Sequence, residues 1–192
     1  MSKIRLIVGL GNPGNKYEST RHNAGIWFVD ALAEKFNVKL KPEAKFHGNV
    51  ARIQTSDSDT FILFPTGFMN RSGLAVRRLA KFYKILPEEI LVAHDELDLD
   101  CGMARLKQGG GHGGHNGLRD IHAQLGDKNY YRLRLGIDHP GDKSMVVNYV
   151  LSNPSKDQKN KINMAIEDTL FEIEPIMQGD IAKAMNNLHQ KK

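Results

Sequence analysis

A short aliphatic segment that runs directly into glycines constrains the fold of this chain most strongly. Residues 4–8 are Ile-Arg-Leu-Ile-Val, and residues 9–14 are Gly-Leu-Gly-Asn-Pro-Gly. Such a pattern is typical of a buried strand that enters a tight turn. From 23 to 36 apolar residues recur every three or four positions, which predicts an amphipathic helix. The chain therefore begins with a β-α unit.

The rest of the chain alternates between short apolar segments and helical patterns. Strands are predicted at 47–54, 60–64, 90–93 and 131–137. Helices are predicted around 76–83, at 118–125 with a stop at Gly126, and from 156, with Pro175 ending or kinking the last one. No repeat or linker interrupts this pattern. We predict one α/β domain over 1–192, with a twisted mixed sheet flanked by helices and a C-terminal helical segment from about 155.

Composition excludes several classes of protein. With 40% hydrophobic and 26% charged residues, disordered, collagen-like and coiled-coil chains are excluded. Cys101 is the only cysteine, so no internal disulfide is expected. The first residues lack the long apolar region typical of a signal peptide, and the sequence contains no 18-residue apolar run. We expect a cytoplasmic protein that does not interact with membranes. A net charge of +5 suits a polyanionic partner but does not identify one.

The glycine turn at 9–14 also matches G-x-G-x-x-G, the dinucleotide-binding fingerprint. That motif should lead straight into a helix, with an acidic residue about 20 positions later at the end of a second strand. Here a turn-rich loop follows, and Asp30 and Glu34 lie within the helical pattern. A dinucleotide-dependent oxidoreductase therefore stays an alternative, and so does a plain turn.

Two residues suggest acid–base chemistry. His22 lies just before the first helix, whose dipole should disfavour the charged imidazole and leave a usable base. Asp95 follows the strand at 90–93, at the sheet edge where α/β proteins place their sites, and its carboxylate could orient that imidazole. The alternatives are a capping or surface histidine, and for Glu96 and Asp98 a solvated acidic turn.

Water is the expected nucleophile. The G-x-S-x-G elbow is absent, and the acidic surroundings of Cys101 should raise the pKa of its thiol. A metal site built from His94, Asp95, His112 and His115 is an alternative, but no metal-binding motif supports it. We expect neither a metal nor a cofactor.

Six of the nine residues at 109–117 are glycine, which suits a loop whose backbone approaches a ligand or moves. Asn116 ends this loop, and Asn12 and Asn70 likewise follow a strand or precede a helix. For Asn70 and Asn116 the alternative is a helix cap. Together the three asparagines resemble a convergent set of amides that face a substrate.

Basic residues surround the last predicted strand. Arg132 and Arg134 alternate with leucines, so their guanidinium groups share one face of the sheet. Arg105 and Lys107 precede them. This face suits a phosphate, and an ordinary solvated surface is the alternative.

Seven motifs in order make the chain resemble bacterial-type peptidyl-tRNA hydrolases over about 4–151. They are GLGNPG, Tyr17, TRHNAG, FMNRSG, HDELDL, GGGHGGHNG and RLRLGIDHPGD. The resemblance implies a monomeric, metal-free α/β enzyme that hydrolyses the ester between a peptide and the terminal ribose of tRNA. Asp100-Cys101 and Asp138 depart from the family pattern. The remaining functional alternative is a non-catalytic RNA-binding module.

The resemblance also implies residue roles. His22 would be the general base for water and Asp95 would orient it. The substrate would contact Asn12, Tyr17, Met69, Asn70, His115 and Asn116, and the tRNA 5′-phosphate would contact Arg105, Lys107 and Arg134. The stretch 139–151 would form a mobile lid over the cleft.

Overall fold

A single mixed sheet organises the molecule. The computed structural model describes residues 2–190. Their strands are β1 Leu6–Gly9, β2 Lys41–Glu43, β3 Gly48–Gln54, β4 Asp59–Pro65, β5 Ile90–Glu96, β6 Ala104–Gln108 and β7 Tyr131–Gly136. Their spatial order is β2-β3-β4-β1-β5-β7-β6. The central strands β4, β1, β5 and β7 run parallel, whereas β2, β3 and β6 are antiparallel to their neighbours.

Helices cover both faces of the sheet. They are α1 Ala24–Lys35, α2 Ser72–Phe82, α3 Asn116–Leu125, α4 Val146–Val150, α5 Lys156–Phe171, α6 Ile173–Met177 and α7 Ile181–His189. Helix α1 and the C-terminal helices share one core with Ile7 of β1, while α2 and α3 share the other with Leu6 and Val8. This alternation follows from the two-residue period of a strand that is buried on both faces. The predicted α/β class with a mixed sheet is confirmed.

The first β-α unit packs through glycines. A Cβ on Gly9 would overlap the carbonyl oxygen of Gly25, and a Cβ on Gly25 would overlap the carbonyl oxygen of Ala93. A Cβ on Gly11 would overlap the side chain of Ile26. Helix α1 begins only at Ala24, after a loop, so no helix N-terminus follows the glycine turn directly. These glycines permit close contact between helix and sheet. The dinucleotide alternative is weakened because no helix begins directly after the glycine turn.

Replacing Gly25 by Ala should destabilise the protein, although alanine normally favours a helix. The added methyl group meets the backbone of β5 and the loop at Leu10, which cannot move aside as a flexible side chain can. We expect the free energy of unfolding in urea to fall by about 1–3 kcal/mol, as for other overpacked cores. Gly111→Ala is the control, because a Cβ there meets nothing within 4 Å. Equal stability of the two variants would contradict this account of the packing.

Several boundaries differ from the prediction. Strands β2 and β6 were not predicted, because β2 is exposed throughout and β6 is short and carries two cations on one face. Helix α4 was also missed, whereas α7 lies within the C-terminal helical segment predicted from about 155, although its bounds were not predicted. Helix α3 begins at Asn116 and ends at Leu125, and Gly126 stops it as predicted, with a φ of 65°. The helical tail breaks after Phe171, shortly before Pro175, also as predicted.

The ends of the predicted 1–192 domain, Met1, Lys191 and Lys192, lie outside the described residues. Within residues 2–190, no helix has the length and apolar character needed to cross a membrane.

Candidate active site

A cleft of about 630 Å³ lies at the carboxyl ends of the parallel strands. Side chains from β5, β7, the Gly-rich loop and the 139–151 segment line it. Nine predicted site residues are among them: Asn12, His22, Met69, Asn70, Asp95, Lys107, His115, Asn116 and Arg134. Tyr17 and Arg105 do not line this cleft. The topology thus brings together residues separated by more than 100 positions in the chain.

Asp95 is the centre of a buried hydrogen-bond network. Its Oδ2 lies 2.9 Å from Nδ1 of His22, and its Oδ1 lies 2.9 Å from Nε2 of His115. Asp95 is 3% exposed and His22 is 9% exposed. The predicted proximity of His22 and Asp95 is therefore present, with a second imidazole on the same carboxylate.

The hydrogen bonds determine the tautomers of both imidazoles. Nδ1 of His115 accepts from the backbone N–H groups of Gly117 and Leu118, so Nε2 carries the proton donated to Asp95. In His22 the proton donated to Asp95 lies on Nδ1. Nε2 of His22 is left with a lone pair, on a ring that lines the cleft. That nitrogen can accept a proton from a nucleophile.

The pKa of His22 is shifted in the direction opposite to that expected from the sequence. Burial lowers the pKa of His22, but the charge of Asp95 and the hydrogen bond to it prevail, so the pKa is raised. The sequence expectation that the helix dipole lowers this pKa is therefore wrong in direction, because the carboxylate lies closer to the imidazole and carries a full charge. Burial also opposes ionisation of Asp95, yet His22 and His115 hold its pKa well below the usual range. The carboxylate is thus ionised.

His94 contacts both Asp95 and His115 of this network. Its Nδ1 donates to the backbone oxygen of Asp95 at 2.8 Å, and its ring packs edge-on against His115 with centroids 5.2 Å apart. Burial, with a smaller contribution from His115, lowers the pKa of His94 to about 3. His94 is therefore a neutral buried residue that holds the backbone beside Asp95.

The only candidate metal-ligand cluster in residues 2–190 is His22, Asp95 and His115, whose ligand atoms lie within 4.8 Å of one another. In this arrangement the facing nitrogens donate protons to the carboxylate, and the other nitrogen of His115 accepts from the backbone. A metal ligand must offer a lone pair instead. The alternative set that included His94 and His112 is not assembled among these residues, and the donor chemistry of the cluster does not fit an ion.

The three asparagines are positioned as amides rather than as caps. Oδ1 of Asn12 accepts from the backbone N–H of Met69 at 2.8 Å, and Oδ1 of Asn116 accepts from Arg119 at 3.1 Å. Asn70 is exposed and is the middle residue of a one-turn helix, Met69–Arg71. The cap of α3 is His115, and α2 has no side-chain cap. The capping alternative is therefore wrong for Asn70 and Asn116.

Asn23 was missed by the sequence reasoning. Its Oδ1 accepts from the backbone N–H of Asn12, and its Nδ2 donates to the backbone oxygen of Asn12, both at 2.9 Å. These two bonds fix the loop that presents the Asn12 side chain to the cleft. Only its place in TRHNAG next to His22 could have indicated this role.

Met69 lines the cleft as the resemblance implied, and its sulfur lies close to where a Cβ on Gly117 would be. Tyr17 packs edge-on against Phe68, with ring centroids 6.3 Å apart, and Phe68 lines the cleft. Tyr17 thus contacts a residue of the cleft wall without lining the cleft itself.

The predicted basic face is present on β6 and β7. Arg105 lies opposite Arg134, and Lys107 lies opposite Arg132, so the four side chains share one face. Arg132 is buried and donates to the backbone oxygens of Gly109 and Gly111, which holds the Gly-rich loop. Nε of Arg134 pairs with Glu96 at 2.9 Å, so the solvated-turn interpretation of Glu96 is wrong.

The 139–151 segment covers one side of the cleft. Helix α4 contributes Val146, Val147 and Val150 to the cleft wall. Arg21 contacts the same helix at Tyr149. Nη1 of Arg21 donates to the backbone oxygen of Tyr149 at 3.0 Å, and its guanidinium lies 3.9 Å from the centre of the Tyr149 ring. Asp138, which departs from the family pattern, accepts from the backbone N–H of Cys101. Its carboxylate is thus occupied by the backbone.

Comparison with known proteins identifies the family. A family model described as peptidyl-tRNA hydrolase matches residues 6–192. The chain belongs to the peptidyl-tRNA hydrolase family. A peptidyl-tRNA hydrolase of Neisseria meningitidis serogroup A is 56% identical over 188 residues, which cover 98% of each chain. One of Actinobacillus pleuropneumoniae serotype 5b is 56% identical over 190 residues, with the same coverage.

A solved structure agrees with this assignment. The crystal structure of peptidyl-tRNA hydrolase from Acinetobacter baumannii has a TM-score of 0.95 and 49% identity, covering 98% of this chain and 95% of that one. The family resemblance predicted from the seven motifs is confirmed, and it extends through the C-terminal helices beyond 151.

Proposed function

We propose that this member of the peptidyl-tRNA hydrolase family hydrolyses the ester between peptide and tRNA through water activated by His22. The observation that carries the proposal is the network in which Asp95 orients His22 and leaves its Nε2 free on the cleft. Nε2 takes a proton from water as the water oxygen attacks the ester carbonyl carbon. The imidazolium, stabilised by Asp95, then returns the proton to the departing ribose oxygen.

The asparagines would hold the peptide part of the substrate. Because Oδ1 of Asn12 and of Asn116 is already engaged, each side chain presents its NH₂ group as a donor. Donors of this kind suit peptide carbonyl groups and the oxyanion of the tetrahedral intermediate. Asn70 lies on the same cleft and can contribute either an oxygen or an NH₂ group. We assign peptide binding to these residues together with Met69 and His115.

The basic face would hold the tRNA. Lys107 and Arg134 lie on the cleft wall, and Arg105 lies directly across from Arg134. A cluster of cations on one sheet face suits the 5′-phosphate at the acceptor end. Arg105 donates from Nη1 to the backbone oxygen of Ala104, so we give it an electrostatic role from outside the cleft.

The remaining assignments follow from this substrate. We propose that residues 1–192 act as one catalytic domain and, as the family resemblance implies, as a monomer. We also propose that the protein acts in the cytoplasm, because translation produces its substrate there. The 139–151 segment would close over the bound peptide, with Arg21 as its fixed end.

The test compares an N-acetylated aminoacyl-tRNA with the same aminoacyl-tRNA that carries a free amine, with a chelator present throughout. We expect selective release of tRNA from the acetylated substrate, because its amide resembles a peptide bond and offers a carbonyl to the asparagines. Release that stops in chelator would contradict the metal-free mechanism. Equal release from both substrates would contradict amide recognition.

Absence of release from either substrate, with tRNA still bound in a salt-dependent manner, would reject the hydrolase proposal. It would favour a non-catalytic RNA-binding module instead. Free-amine substrate is the matched control here, because it differs from the acetylated substrate only at the amine.

A further inference from the structure

Glu96 occupies a position that the proposed chemistry does not use. It is the last residue of β5, and its Oε1 lies 2.9 Å from Nε of Arg134 on the neighbouring strand β7. The two side chains are only 18% and 22% exposed, and both line the cleft. A carboxylate is thus bonded to a cation that we assign to the tRNA phosphate.

Glu96 pairs with one member of a cluster of cations on β6 and β7. Arg105 lies across from Arg134, and Lys107 lies two residues farther along β6. Arg132 is committed to the backbone of the Gly-rich loop. Only Nε of Arg134 is engaged, and its Nη nitrogens bond to no other group in residues 2–190. A phosphate that binds Arg134 must therefore displace Glu96 or share the guanidinium with it.

The charge of the phosphate then determines whether binding is favourable. An internal diester of the RNA backbone carries one negative charge, the same as the Glu96 carboxylate, so exchanging one for the other brings little Coulombic gain. A terminal phosphate monoester carries about 1.5 to 2 negative charges near pH 7 and offers three strong acceptor oxygens. It competes more strongly for the guanidinium than the carboxylate does.

We propose that Glu96 is a specificity-determining residue that selects a terminal phosphate monoester over the internal diesters of RNA. Its carboxylate pairs with the guanidinium of Arg134 until a phosphate group with more negative charge displaces it. The inference rests on the proposed function, because it takes Arg134 as a phosphate-binding residue. Without Glu96 the same basic face would bind any RNA backbone that reaches the cleft.

The test uses Glu96→Gln, which keeps the shape of the side chain and removes its charge. Binding is measured for two RNA hairpins that are identical except for a 5′-monophosphate or a 5′-hydroxyl, at one salt concentration. We expect wild type to prefer the phosphorylated hairpin. In the variant, affinity for the 5′-hydroxyl hairpin should rise more, so that the preference falls about 3- to 10-fold, the size of one partly screened charge interaction.

Three further variants separate this effect from others. Glu34→Gln makes the same charge change on an exposed position at the far end of α1, and it should leave the preference unaltered. In an Arg134→Gln background, Glu96→Gln should no longer change the preference, because the cation for which phosphate and carboxylate compete is gone. Thermal melting of each variant checks folding, and Glu96→Ala serves as a second charge-removing variant.

An equal gain in affinity for both hairpins would overturn the proposal, since it would show a general electrostatic effect. Weaker binding of both would also overturn it, because Glu96 would then be a support for Arg134. Peptidyl-tRNA hydrolysis by wild type is measured separately. Hydrolysis with an unaltered preference rejects this inference alone, whereas absence of hydrolysis rejects the proposed function.

Discussion

Asp95→Asn is expected to lower kcat/KM about 10⁴-fold, the largest effect of any single substitution in the site. An amide has one accepting oxygen and one donating NH₂ group, whereas the carboxylate accepts from both imidazoles. The oxygen must stay toward His115, because the backbone of α3 holds the proton of that ring on Nε2. The NH₂ group therefore faces Nδ1 of His22.

That arrangement reverses the tautomer of His22. Nδ1 must become the acceptor, so the proton moves to Nε2, the nitrogen that should receive a proton from water. Steady-state hydrolysis of an N-acetylated aminoacyl-tRNA measures the loss. Asp100→Asn is the matched control, because it makes the same change at an exposed position that does not line the cleft. A loss below about 10-fold in a folded Asp95→Asn protein would show that Asp95 does not set the tautomer.

Removal of the base itself gives the second large effect. His22→Ala should lower kcat/KM about 10²- to 10⁴-fold, the usual contribution of a general base.

The pH profile of kcat/KM provides an independent measurement. The base acts when Nε2 is unprotonated, and the pKa of His22 is raised above 6.5 by Asp95, so wild-type kcat/KM should rise with pH through a midpoint above 6.5. The residual activity of His22→Ala should lack that rise.

The control is His47→Asn, which removes an exposed histidine elsewhere and retains a residue that tolerates its positive φ of 52°. Circular dichroism and urea unfolding establish that each variant is folded. Near-normal turnover by native-like His22→Ala would reject His22 as the base, and so would an acid limb that persists in that variant.

Much of the fold followed from local patterns. The apolar segments at 4–8 and 90–93 predicted buried strands, and the helical periodicity of 23–36 predicted α1, because burial on one or both faces leaves a repeat that neighbouring residues alone reveal. Strand β6 left no such signal. It is an edge strand, and the alternation of Arg105 and Lys107 with apolar residues resembles a charged surface until its partner β7 is known.

The functional site, like the fold, was predictable from the sequence only in part. The sequence by itself determined the family, the residue types and the positions of His22, Asp95 and the three asparagines, since these stand in contiguous motifs beside strand ends and glycine turns. Only the tertiary structure showed that His115 caps α3 while donating to Asp95, that Asn23 fixes Asn12, and that Glu96 occupies Arg134. These are contacts between side chains that are distant in sequence, and strand order and register, which no local pattern encodes, place their atoms within hydrogen-bond distance.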